Sequence, residues 1–270
     1  MIDARLIERI GRWIDQRTEA MGEDGPPVLG IAGSQGLGKS TLAKAVAERF
    51  GGASLSLDDV YLTKAERAAM AARVHPLFAT RGPPGTHDLG LLNRLLDRLQ
   101  AAGPDDLTPL PRFDKLADDR AAEADWPVVK GRPRVIVLEG WCLGATPQAE
   151  ADLVAPINAL EAQKDVGGEW RRAVNAALSQ PYLRLRARLD ALIFLEAPGF
   201  DVVLDWRCEQ EAGLRGQDVV SRERRAALAI FIQHYERLSR HMVTGGVEAE
   251  MIVALDRDRG VRSLEGGLGA

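Results

Sequence analysis

GSQGLGKST, residues 33–41, is a glycine-studded stretch that ends in a lysine and two hydroxyls. Ahead of it runs PVLGIA, residues 27–32, which is short and apolar; behind it runs LAKAVAERF, residues 42–50, with the spacing of a helix. Gly33-x4-Gly38-Lys39-Ser40 fits the phosphate-binding loop, and a strand before it with a helix after it is the context that loop requires. Glycines let successive backbone N–H groups turn inward as an anion nest, and the amino end of the helix adds partial positive charge. Gly33, Ser34, Gln35, Gly36, Leu37, Gly38, Lys39, Ser40 and Thr41 are therefore the expected nucleotide-contacting residues. Lys39 would reach the β- and γ-phosphates, the Ser40 hydroxyl would bind Mg²⁺, and Thr41 would help seat the α-phosphate.

Working outward, short apolar runs recur at 134–138 (RVIVL), 189–195 (LDALIFL) and 251–255 (MIVAL), and a further strand is expected within GGASLSLDDVYLT, residues 51–63. Helical spacing marks 2–20, 64–74, 89–102 and the arginine-rich stretch 201–242. Residues 103–127 are polar and irregular, which in a compact domain points to a loop that serves a site. The tail SLEGGLGA, 263–270, reads as frayed. Apolar strands without alternation, separated by helices, predict an α/β fold: a mainly parallel sheet covered on both faces, in a three-layer α/β/α arrangement of the P-loop NTPase type. One domain over 1–270 is expected, with a helical lid around 201–245.

The net charge of −4 and the isoelectric point near 5.7 give no general pull toward nucleic acid or anionic membrane, so neither is expected as a partner. Any phosphate site must then be a local concentration of donors. Cys142 and Cys208 are too few for a disulfide framework and lack metal-ligand spacing. No apolar run approaches the ~20 residues that span a bilayer. The first residues mix charge into a helical period and lack the apolar core of a signal peptide, so a cytoplasmic enzyme is the expectation.

The phosphate loop alone does not choose between a motor, a GTPase and a small-molecule kinase; the guanine-reading Asn-Lys-x-Asp string is absent. Other strand ends decide. VIVLEGW puts Glu139 directly after an apolar strand, where phosphoryl transfer needs a carboxylate to orient Mg²⁺. SLDDVYLT puts Asp58, Asp59 and Tyr61 after the strand that follows the loop helix. An alcohol becomes a better nucleophile as its proton leaves, so Asp58 is the candidate base, with Asp59 one register away; both could instead cap the next helix. RGPPGTHD offers Arg81, Thr86, His87 and Asp88, and LPRFDK offers Arg112, Asp114 and Lys115. A small acid acceptor needs a cation and several hydroxyl partners, which these loops hold, although Asp88 could equally cap a helix. DWRCEQEAGLR carries Arg207 and Arg215 on a helix, either as a salt-bridged surface or as lid arginines that stabilise the transferring phosphoryl group.

Asp-x-x-Tyr at 58–61 resembles the Asp-Ser-Phe-Tyr of the uridine kinases. Taken together, GSQGLGKSTL, SLDDVYLT, RGPPGTHD, LPRFDK, VIVLEGWCLG and LEAPGFDVVLDWRCEQE resemble the plant- and fungal-type D-glycerate 3-kinases and their bacterial relatives. These belong to the P-loop kinase superfamily with uridine kinase, pantothenate kinase and phosphoribulokinase. The resemblance covers residues 30 to about 215, in order. It implies ATP as donor, Mg²⁺ as cofactor and D-glycerate as acceptor, giving 3-phosphoglycerate. After LPRFDK the chain departs from the pattern with the acidic, alanine-rich LADDRAAEADW. Two other readings stand beside this one. The first is a kinase for a nucleoside, sugar or pantothenate, for which only Tyr61 and Phe113 offer stacking surface. The second is an ATP-hydrolysing switch or assembly factor without a small acceptor.

Overall fold

Apolar strands need cover on both faces, and the computed structural model, which describes residues 2–22 and 24–269, supplies it. Met1, Glu23 and Ala270 lie outside the described residues. In chain order, helix α1 (Ala4–Met21) precedes strand β1 (Val28–Gly33), helix α2 (Lys39–Phe50), strand β2 (Ala53–Ser56) and helices α3 (Lys64–Arg73) and α4 (Leu89–Ala101). Four short strands follow: β3 (Leu107–Pro109), β4 (Phe113–Asp114), β5 (Asp119–Arg120) and β6 (Val128–Lys130). Strand β7 (Ile136–Gly140) leads to helices α5 (Ala159–Lys164), α6 (Glu169–Ala177) and α7 (Leu183–Arg186) and then to strand β8 (Ala191–Glu196). Helices α8 (Val203–Leu214), α9 (Arg222–Phe231) and α10 (Gln233–Val243) precede strands β9 (Met251–Leu255) and β10 (Val261–Gly266).

The main sheet has the order β10-β9-β8-β1-β7-β2, with every pair parallel except β9–β10. On one face, α1 lays down Leu6, Ile10, Trp13 and Ile14, and α2 lays down Leu42, Ala43 and Val46. On the other, α4 presents Leu92, Leu95, Leu96 and Leu99, the i, i+3, i+4, i+7 stripe of an amphipathic helix, beside Tyr235, Leu238 and Met242 of α10. The layers are thus α/β/α, as the sequence pattern requires. Because β1, β7 and β2 are parallel neighbours, their carboxyl ends and the residues that follow them emerge on one side, where such sheets bind ligands. Among the described residues no helix is long and apolar enough to cross a membrane.

Three local expectations need correction. Ser263–Gly266, read as frayed tail, pairs with β9 as the end of β10, and Val261 and Leu264 pack on the α1-side core. The alternation of these residues with Arg262, Ser263 and Glu265 disguises an edge strand as a polar tail. The polar stretch 103–127 is not structureless: β3 pairs with β6 and β4 with β5, both antiparallel. The strand expected at 134–138 runs instead through Glu139 and Gly140.

Leu96 has 0% exposure in the α4 face of the core. Leu96→Ala should therefore lower unfolding free energy by about 2–5 kcal/mol. Urea titration checks this as a lower midpoint with an unchanged slope.

Candidate active site

Strand β1 ends in Gly33, and the chain turns through Gly36 and Gly38, both left-handed at φ 79°, before α2 begins at Lys39. A side chain at Gly36 would be strained by that φ and would also sit 2.5 Å from Cβ of Trp206 on α8. The loop is thereby held close against α8 at the amino end of α2. Lys39 is buried, and its Nζ donates to the Ser34 carbonyl at 2.9 Å. Burial pulls its ammonium below the usual lysine range, against the opposing charges of Glu139 and Asp58. The Ser40 hydroxyl donates to Glu139 Oε1 at 2.9 Å, and the Ser56 hydroxyl donates to the same oxygen at 2.6 Å. A carboxylate between two hydroxyls is an oxygen-only donor set of the kind hard divalent cations take.

Two residues beyond Ser56, Asp58 sits in a short 3₁₀ turn, Leu57–Val60, whose start is capped by the Ser56 side chain. Tyr61 donates its hydroxyl to Asp58 Oδ1 at 2.7 Å, and Lys115 donates its ammonium to Oδ2 at 2.8 Å. Burial alone would raise the Asp58 carboxyl. The Lys115 charge, the two hydrogen bonds and the Lys39 charge outweigh it and hold Asp58 well below the usual carboxylate range. Asp58, Tyr61, Lys39, Ser40 and Glu139 line one cleft of about 650 Å³, open mouth included. Arg207 of α8 lines it from above: Nη2 is paired with Glu211 at 2.8 Å, whereas Nη1 is buried without a hydrogen-bond partner among the described residues. Glu211 also accepts from Arg215 and Arg224, so these arginines form a salt-bridged helix surface, and Arg207 lines the cleft as well.

Of the residues offered by the acceptor loops, Arg81 and Lys115 line the cleft with Tyr61, while the others stand behind it. Asp59 turns away and is paired with Arg112 at 2.5 Å and with the Phe113 amide, so it fixes the LPRFDK loop rather than serving as a base. Thr86 is fully buried and closes its own turn between the Gly82 amide and the Pro83 carbonyl. His87 is buried, stacked on Tyr61 with ring centroids 4.6 Å apart, and shares a 2.5 Å hydrogen bond with the Tyr182 hydroxyl. Asp88 caps α4 through the Leu91 amide. Exposed Asp114 accepts from the Leu116 and Ala117 amides and shapes a turn. Leu37 packs into the core, so only its backbone is available to a ligand. Thr41 faces a neighbouring groove formed with Trp206, Gln210 and Arg259.

Sequence reading missed several parts. Trp141, Phe231 and Tyr235 line the cleft, whereas Phe113 lies under Arg67 and Arg81 at 5.6 and 5.5 Å. Trp141 immediately follows Glu139-Gly140, a signal that could have found it; Tyr235 comes from α10 and carries none. Asp118, in the divergent segment after LPRFDK, pairs with both Arg67 and Arg81. Arg259, at the β9–β10 turn, stacks over Trp206 at 5.0 Å and donates to the Gly36 carbonyl at 2.7 Å.

No family model matches the chain. Over 227 residues it is 32% identical to uncharacterized kinase mug58 of Schizosaccharomyces pombe, covering 78% of this chain and 79% of that one. It is 35% identical over 208 residues to the chloroplastic D-glycerate 3-kinase of Arabidopsis thaliana, covering 72% of this chain but only 43% of that protein. The structure of D-glycerate 3-kinase from Cryptococcus neoformans var. grubii matches with a TM-score of 0.74 over 97% of this chain and 99% of that one, at 22% identity, a likeness of fold.

Burial pulls the His87 imidazole from its ordinary 6.5 to about 4, against the attraction of Asp58. The unfolded chain therefore takes up this proton before the folded one does. The stability of the neutral form is complete above 6.5 and is lost as pH falls toward 4, on the order of 3 kcal/mol. His87→Gln should flatten the stability–pH curve in that window, as read from urea midpoints at successive pH values.

Proposed function

The chain belongs to the D-glycerate 3-kinase-like family of P-loop kinases, and on that premise we propose that it transfers the γ-phosphoryl group of ATP to a hydroxyl of D-glycerate, giving 3-phosphoglycerate. The observation that carries the proposal is the meeting, in one cleft, of the Lys39 ammonium, the Asp58 carboxylate, the Ser40–Glu139 pair and Arg207. A new O–P bond forms at the acceptor hydroxyl as the bond from the γ-phosphorus to the ADP oxygen breaks, and the hydroxyl proton passes to Asp58. Held ionised, Asp58 is always open to that proton. Its low basicity is tolerable in a loose transition state, in which the proton leaves late. Lys39 and Arg207 stabilise the charge on the equatorial oxygens of the transferring group. Ser40 and Glu139 would hold Mg²⁺, which when bound neutralises charge on the β- and γ-oxygens. The donor's nucleoside extends along Gly38 and Thr41 into the groove beside Trp206 and Arg259. The helices α8 to α10, within 201–245, serve as the lid that brings Arg207 down and excludes water.

Coupled ADP release with Mg-ATP against a panel of hydroxy acids, sugars and nucleosides tests this. Strong stimulation by D-glycerate is the expected result. Stimulation only by a nucleoside or sugar, or slow turnover indifferent to every acceptor, overturns it. Asp58→Asn should lower kcat by ~10² or more with little change in nucleotide affinity; a near wild-type kcat would remove Asp58 from its role.

A further inference from the structure

Four cationic side chains line the cleft: Lys39, Arg81, Lys115 and Arg207. Three are engaged with the walls. Lys39 reaches back to the phosphate loop at the Ser34 carbonyl, Arg81 pairs with Asp118, and Arg207 is held by Glu211 on its own helix. Lys115 is engaged differently. Its ammonium donates to the reacting carboxylate itself, 2.8 Å from Asp58 Oδ2, and the side chain remains 41% exposed. An ammonium has three donors, and one is used in that contact.

We propose that Lys115 selects the acceptor: its ammonium bridges Asp58 and the carboxylate of a short hydroxy acid, so that the acid's hydroxyl is delivered to Asp58. The proposal rests on the kinase reading above and names the residue that sets its substrate class. The 2.8 Å spacing limits the size of that substrate. A molecule whose hydroxyl donates to Asp58 can reach Lys115 at hydrogen-bond distance when its carboxylate lies within about two carbons of the hydroxyl-bearing carbon. A neutral polyol or nucleoside offers no anion there and leaves the remaining ammonium donors to water. Arg81 is tied to Asp118 and to the Lys115 carbonyl, 3.4 Å away, and makes no hydrogen bond to Asp58, so it is not placed to bridge the base and a substrate as Lys115 is. That second contact instead steadies the backbone from which Lys115 extends.

Loss of the Lys115 charge also changes the surroundings of Asp58, which affects every acceptor alike. The informative readout is therefore a ratio. Values of kcat/KM for D-glycerate and for its uncharged amide, D-glyceramide, are compared in the wild type and in Lys115→Met, Lys115→Gln and Lys115→Arg. The acid-to-amide ratio should fall ~10–100-fold in the Met and Gln variants, the range of a hydrogen bond to a charged group, and be largely kept in the Arg variant. An unchanged ratio in both neutral variants, even with lower absolute rates, would assign Lys115 a supporting role and overturn the proposal. Failure of the wild type to favour the acid at all would overturn the functional reading itself, and it would be seen before any substitution is made.

Discussion

One carboxylate oxygen, Oε1 of Glu139, accepts from Ser40 at 2.9 Å and from Ser56 at 2.6 Å. Ser40 belongs to the helix after β1 and Ser56 ends β2, while Glu139 lies in β7, the strand between them. The contact therefore adds a side-chain tie, at the carboxyl ends of the strands, to the backbone pairing of β1 and β2 with β7. Burial of a carboxylate is costly unless it is hydrogen-bonded, and two hydroxyls with a nearby ammonium offset that cost. The parallel register makes the geometry available: Glu139 is aligned with Ile31 on one side and with Ser56 on the other. From that point the chain needs only two more residues to set Asp58 in the cleft.

The charges around this clamp are stable as a set rather than as pairs. Burial works against the charged form of Lys39, opposed by Glu139 and Asp58, while Lys115, the Tyr61 hydroxyl and Lys39 hold Asp58 ionised against the same effect. In a partly desolvated cleft such mutual support is strong, and removal of one member leaves the rest uncompensated. Ionisation leaves the Asp58 carboxylate able to accept a proton, at the cost of low basicity.

Much of the fold and of the donor side was legible in the sequence because the signals are local. The loop from Gly33 to Thr41 declares itself by spacing, and Glu139 and Asp58 by their places at the ends of apolar strands. The acceptor side was less legible because its motifs mix two kinds of residue that spacing cannot separate. In RGPPGTHD, Arg81 lines the cleft, whereas Thr86, His87 and Asp88 close turns, stack on Tyr61 and cap α4. In SLDDVYLT, adjacent aspartates part company: Asp58 faces Lys115 and Asp59 faces Arg112. Tyr235 and Phe231 arrive from helices more than a hundred residues downstream, and only tertiary packing places them.

The residues behind the cleft are not idle, because phosphoryl transfer is mostly a matter of placement. Asp59 holds the LPRFDK loop through Arg112 and the Phe113 amide; Phe113 lies under Arg81; and Asp118 draws Arg67 and Arg81 together. His87 stacks on Tyr61, whose hydroxyl orients Asp58. Each of these motifs thus mixes one or two residues that line the cleft with several that fix their position. Asp118 acts as a brace: Lys115 extends from a backbone whose carbonyl accepts from Arg81, and Arg81 keeps its place through Asp118. A change in the brace would therefore move Arg81 and Lys115 together at the cleft wall and leave the contacts of Ser40 and Ser56 with Glu139 as they are.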